Sequence, residues 1–105
     1  MRIKQGTTIP YAYQIRDSEK DPVDLTNAAS VVFKGTKDGN TTPDITITCN
    51  FTDRTDGDIT IPWTSGSTSV IGFYFVEFVI TWSDGSIEKV PSGAEEWLLI
   101  MNSYT

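Results

Sequence analysis

Histidine is absent from the 105-residue sequence, and cysteine occurs once, at Cys49. Without imidazole there is no histidine base, no Ser–His or Cys–His couple and no histidine metal ligand. One cysteine closes no internal disulfide and builds no Cys-rich zinc or iron–sulfur cage. Basic residues are scarce as well: 8 Lys and Arg against 14 Asp and Glu give a formal net charge of −6. That balance speaks against a nucleic-acid partner, which requires a basic footprint over the phosphates, and against docking on an anionic membrane. Long apolar runs are missing too. Phe73 to Val76 stops at Glu77 and Trp97 to Met101 stops at Asn102, whereas a bilayer-spanning helix needs ~20 such residues. The opening MRIKQGTTIP has basic residues but no apolar stretch behind them, so no secretory signal is expected. These absences remove the usual equipment of most enzymes, and neither a cofactor nor a metal is expected.

What is present is β-forming. Threonine, isoleucine and valine make up nearly a third of the chain, and their stiff branched side chains suit a pleated surface better than a helix. Turn formers interrupt them at short intervals: Gly6, Asp21-Pro22, Asp38-Gly39-Asn40, Asp56-Gly57, Ser65-Gly66-Ser67, Asp84-Gly85 and Pro91-Ser92-Gly93. Short strands with regular turns read as a sandwich or barrel. The length suits a single domain over residues 1–105, and 38% hydrophobic residues supply a real but thin core.

Period-2 alternation identifies the strands one by one. Tyr11, Tyr13 and Ile15 share one face, and Val31 and Phe33 follow after a local turn. Ile45, Ile47, Cys49 and Phe51 alternate with polar residues as one strand, which makes Cys49 a small core hydrophobe. Ile59, Ile61 and Trp63 form the next, with Pro62 marking a strand end or an edge. Residues 72–90 read as a long hairpin reversing at Asp84-Gly85, since Asp-Gly supplies the positive φ of a tight turn. Trp97 to Met101 closes the set, and residues 1–5 add an edge strand. Seven or eight strands result, an all-β fold of two packed antiparallel sheets. Between the second and third strands, Asp24, Leu25 and Thr26 open a one-turn crossover. Asp and Thr cap it through side-chain hydrogen bonds while Leu25 plugs the core.

Few residues invite a chemical reading. Asp53, Asp56 and Asp58 in DRTDGD are the one stretch resembling a cation loop, but their spacing fails the EF-hand pattern and Arg54 sits among them. They read as a polar hairpin loop. Glu77 and Glu88 lie on facing strands of the expected hairpin, yet a small sandwich offers little depth for a glycosidase cleft. GSTSVIG, residues 66–72, has neither the lysine nor the following helix of a phosphate loop. The informative anomaly is the strand from Phe73 to Trp82. Tyr74, Val76, Phe78, Ile80 and Trp82 form its inward stripe, while Phe73, Phe75 and Val79 make the other side apolar as well. A strand that is apolar on both sides has something over its second face. Either the N-terminal segment or the 93–97 loop covers it, or it is a protein–protein contact.

Four stretches in one order carry a resemblance: IKQGTTIPYAYQIRDSEKDPVDLTNAASVVF, DRTDGDITIPW, a polar loop leading into GFYFVEFVITWSDGSIEKVP, and a short last strand. Over roughly residues 3–100 this succession resembles the N-terminal immunoglobulin-like domain of tailed-phage upper baseplate proteins. The resemblance implies an immunoglobulin-like β-sandwich that joins other virion proteins, or further copies of itself, into the particle. By position it gives Asp24, Leu25 and Thr26 the bracing of the crossover and Gly72, Tyr74 and Glu77 places in the central strand. Asp84 and Gly85 take its turn. The loop from Thr64 to Ile71 lacks the acidic pattern common before that strand, and Gly93 to Glu96 differs from the usual approach to the last one. Any receptor-binding or fibre module is expected in another protein. The expected function is therefore a non-enzymatic virion component of the tail or baseplate, working through protein–protein contact. The alternative is a carbohydrate-binding sandwich, which needs aromatic rings side by side on one surface; Tyr11, Trp63 and Tyr104 are its candidates.

Overall fold

The β-branched segments fold as strands, and no helix occurs among the described residues of the computed structural model, residues 1–90 and 96–102. The strands are β1 (Arg2–Lys4), β2 (Tyr11–Gln14), β3 (Ala28–Lys37), β4 (Ile45–Thr48), β5 (Asn50–Asp53), β6 (Asp58–Ile61), β7 (Gly72–Trp82), β8 (Ile87–Val90) and β9 (Glu96–Met101). They form a larger sheet ordered β1-β9-β7-β3-β4, with β8 also on β7, and a smaller sheet ordered β2-β6-β5. β7 is the hub. One of its edges pairs with β3, and the other holds β9 along its first half and β8 along its second.

Two details depart from the expected antiparallel sandwich of seven or eight strands. β1 runs parallel to β9, with Ile3 level with Ile100. The segment read as one strand around Cys49 is two strands in different sheets. β4 pairs with β3, while β5 pairs with β6. Cys49 is the handover: its N–H donates to Val31 O at 2.8 Å, and the next residue, Asn50, already faces Thr60. A strand turning the corner between facing sheets keeps the same side inward. The alternation of Ile45, Ile47, Cys49 and Phe51 therefore runs unbroken through the switch, which is why it conceals it.

The core lies between the sheets. Tyr13 of the smaller sheet stacks on Phe78 of the larger one with centroids 4.8 Å apart, and Phe33 meets both Phe78 (5.7 Å) and Trp63 (5.2 Å) edge-on. Trp63 lies beyond the end of β6 and is 3% exposed, and its indole N–H has no hydrogen-bond partner among the described residues. Tyr74, Val76, Phe78 and Ile80 all point inward, as the stripe predicts, and Trp82 is half-buried.

The β5–β6 turn is locked into this frame by Gly57, which has φ +71°. A Cβ there would stand 2.7 Å from Val23 O and 2.8 Å from Ile15 O, while Gly57 O accepts the Ile15 N–H at 2.9 Å. Gly57→Ala therefore combines left-handed strain with a clash against backbone and is expected to cost about 3 kcal/mol or more. Gly39→Ala, at φ +93° in open space, meets only the backbone strain, about 1–2 kcal/mol. Urea denaturation of the two variants checks this; equal losses would show that the backbone around Gly57 yields freely.

Candidate functional site

The register identifies every residue on the outer face of the larger sheet. Phe73 is level with Leu99, Phe75 with Trp97 and Thr36, Glu77 with Lys34, and Val79 with Val32 and Lys89. Their inward neighbours Tyr74, Val76, Phe78 and Leu98 are buried. Phe73 and Phe75 are 38% and 41% exposed, and Val79 is half-buried. The two phenylalanine rings meet edge-on at 5.4 Å, and Phe73 lies parallel to Trp97 at 6.1 Å. Val79 stands apart from this cluster, beyond Glu77. The N-terminal segment does not cover the face: β1 lies beside β9 as an edge strand, with Arg2 near the Trp97 ring at 6.0 Å. Residues 93–95 of the loop considered as a cover lie outside the described residues, as does the expected turn at Pro91-Ser92-Gly93. Trp97 belongs to β9 instead.

Charge is distributed unevenly over the same surface. Arg2, Lys4, Lys34 and Lys89 all occupy outward registers, and among the described residues Glu77 is the one acid that joins them. Half of the chain's 8 basic residues thus decorate one face. Sequence reading had noted the apolar residues there but not these cations. The signal was present in Lys34, which alternates with the inward Phe33, and in Lys89, next to the inward Val90.

The turn residues have specific bonds. Asp24 accepts from Thr26 N–H at 2.9 Å and from Thr26 Oγ1 at 2.5 Å, while Leu25 is fully buried. Leu25 N–H donates to Arg54 O at 2.7 Å, tying the crossover to the β5–β6 turn. Arg54 does not turn its charge to the aspartates beside it. Its Nη1 donates to Ala28 O at 2.8 Å and Leu25 O at 3.3 Å, and its guanidinium lies 3.8 Å over the Phe51 ring. Asp84 repeats the Asp24 arrangement, accepting from Ser86 N–H (2.9 Å) and Oγ (2.6 Å), with Gly85 at φ +89°. These bonds to Thr26 and Ser86 hold both exposed carboxyls below the ordinary aspartate pKa.

The remaining chemical candidates separate. Glu88 is level with the inward Ile80 and accepts from the Trp82 indole at 3.2 Å, whereas Glu77 faces outward, so the two carboxylates lie on opposite sides of the sheet. The two therefore do not face one cleft, as a glycosidase pair does. The Cys49 thiol is 5% exposed and burial pushes its pKa up to about 12, as expected of a packing residue. Asp53, Asp56 and Asp58 do converge, with one oxygen of each within 4.8 Å of the others, but Asp53 already accepts from Thr55 Oγ1 and Asp56 N–H. A shallow pocket of about 180 Å³ between Lys37, Asp44, Ser67 and Tyr74 falls below the ~300 Å³ of ordinary small-molecule sites. Comparison with protein-family models, curated proteins and solved structures gives no match.

Two outcomes follow. Calcium at millimolar concentration is expected to leave the melting temperature unchanged; a rise abolished by Asp58→Asn would make the aspartate cluster a cation site. The depressed carboxyls of Asp24 and Asp84 add stability that is present above the unfolded aspartate pKa of ~3.9 and lost as pH falls through their lower folded values. Melting curves across the acid range should therefore decline below pH ~4, and less steeply in the double variant Asp24→Asn/Asp84→Asn.

Proposed function

We propose that the chain is a non-enzymatic structural adaptor of the tailed-phage virion, in the tail or baseplate. In this reading it is an immunoglobulin-like sandwich that attaches to other virion proteins through the outer face of its larger sheet. The observation that carries the reading is the pair Phe73 and Phe75, exposed at 38% and 41% on a strand whose other side is the middle of the core. Aromatic rings held rigidly by a sheet supply large contact area at little entropic cost, and interface centres are rich in them. Support also comes from where the stretches behind the phage resemblance fall. PVDLTNA forms the crossover, DGDITIPW runs through β6, and GFYFVEFVITWSDGSIEKVP is the β7–β8 hairpin.

The carbohydrate reading has less to stand on. Of its three rings, Trp63 is buried, Tyr11 is half-buried and Tyr104 lies outside the described residues.

Phe75→Asp is expected to weaken assembly about 30-fold or more, the loss typical of an aromatic anchor at an interface centre, while leaving a folded monomer. Sedimentation velocity and near-UV circular dichroism read the two effects separately. An unfolded variant would make the face internal core, and a folded variant that assembles normally would remove it from the contact.

A further inference from the structure

Phe73, Phe75, Arg2 and Lys4 lie at one end of the outer face, and Lys34 and Lys89 lie further along β7 on the same face. Eight of the chain's 14 acids occupy the turns beyond the strand's far end. Phe73 and Phe75 lie at the start of β7, beside Trp97 and Arg2. The 11-residue strand ends at Trp82, level with Ala28. There the crossover, the turn from Arg16 to Pro22 and the β5–β6 turn are bonded together through Leu25 N–H to Arg54 O and Ile15 N–H to Gly57 O. This far end carries Asp17, Glu19, Asp21, Asp24, Asp53, Asp56, Asp58 and Asp84 against Arg16, Lys20 and Arg54. Among the described residues Arg2, Lys4, Lys34 and Lys89 form no ion pair with a carboxylate.

Resting on the adaptor reading, we infer that the occupant of the Phe73/Phe75 face is the acidic turn end of a second copy of this chain, in a head-to-tail contact. The rings supply buried area, and the charges set the orientation, as complementary potentials do at interfaces. A face-to-face dimer would bring like-charged faces together, which costs stability. The head-to-tail arrangement joins opposite charges and leaves each bound copy with its own face free. Such a contact is heterologous, so it propagates until a ring closes or continues as a filament. A single-stranded nucleic acid fits the face less well. Its rings are engaged with one another, Phe73 parallel to Trp97 and edge-on to Phe75, and a polyanion would approach a protein of net charge −6.

Complementation tests the contact. One variant, Phe75→Asp, blocks the face; a second, Glu19→Lys/Asp21→Lys/Asp56→Lys, blocks the acidic end at side chains that hold none of the described turn hydrogen bonds. Sedimentation velocity is run on the intact chain and on both folded variants. The intact chain should form species larger than dimers at about 50 mM salt that shrink at about 500 mM, as screened charge contacts do. Each variant alone should be monomeric, and an equimolar mixture should give a one-to-one dimer and nothing larger. A two-fold dimer indifferent to the lysine substitutions overturns the head-to-tail contact, as does a mixture that stays monomeric. An intact chain that is monomeric at every concentration, yet binds other virion proteins in a Phe75-dependent way, overturns the self-contact and leaves the adaptor reading standing. Retention on immobilised oligo-dT, lost in Phe75→Asp, would give the face to a nucleic acid and overturn the inference.

Discussion

The row of rings between the sheets is the contact on which the fold depends. Tyr13 lies on Phe78, Phe78 against Phe33, and Phe33 against Trp63. The smaller sheet has three strands of four residues each, shorter than the usual length of about five or six, and has one face to bury. It holds because Tyr13 stacks on Phe78 of β7, and Ile59 and Ile61 belong to the same core cluster as Phe33, Val76 and Phe78. The Tyr13 hydroxyl extends the same link by donating to Glu96 Oε2 at 2.6 Å, which joins β2 to the start of β9. Burial and that hydrogen bond together raise the phenol pKa, so the link stays a neutral donor to a carboxylate across the ordinary pH range.

Fitting short strands together also requires tight turns, and this explains much of the negative charge. Asp17, Asp24, Asp44, Asp53 and Asp84 each accept hydrogen bonds from nearby backbone or side-chain donors. Asp24 with Thr26, Asp53 with Thr55 and Asp84 with Ser86 repeat one pattern, a carboxylate closing on the residue two positions later. The acidity excluded partners when read as composition. In the structure a good part of it, five of the 14 acidic side chains, is the chemistry of turns.

What could be read in advance follows the same division. Local rules spoke clearly: period-2 alternation located β7 and its buried stripe, Asp84-Gly85 located the hairpin, and Leu25 was identified as the residue that enters the core. Facts that depend on which strands meet were silent. The change of sheet at Cys49 leaves the alternation intact, and the parallel pairing of β1 with β9 depends on residues nearly a hundred positions apart. The role of Arg54 was silent for the same reason: its chain neighbours are aspartates, but its bonded partners are carbonyls of the crossover. At the outer face, the apolar side of Phe73, Phe75 and Val79 was legible from one strand. Its cations were not, because they come from β1, β3 and β8 and gather only through the register.

The asymmetry of charge is then a consequence of topology. Carboxylates collect where Asp-capped turns collect, at the end of β7 marked by Trp82. At its other end the loop from Thr64 to Ser69 is braced by neutral hydroxyls instead: Ser67 Oγ donates to Thr64 O, and the buried Thr68 hydroxyl lies within bonding distance of Thr7 O and Thr64 O. That loop contributes no carboxylate beside Phe73. Two carboxylates from other segments do lie near this end: Asp38, whose N–H donates to Phe73 O at 2.9 Å, and Asp44, which is committed to the Lys37 amide and the Asn40 side chain. Among the described residues Arg2 and Lys4 form no ion pair, and they lie next to rings that the sheet holds against water. Strand order alone puts Arg2 and Lys4 beside the exposed rings, and the same strand order sends most of the acids to the far end.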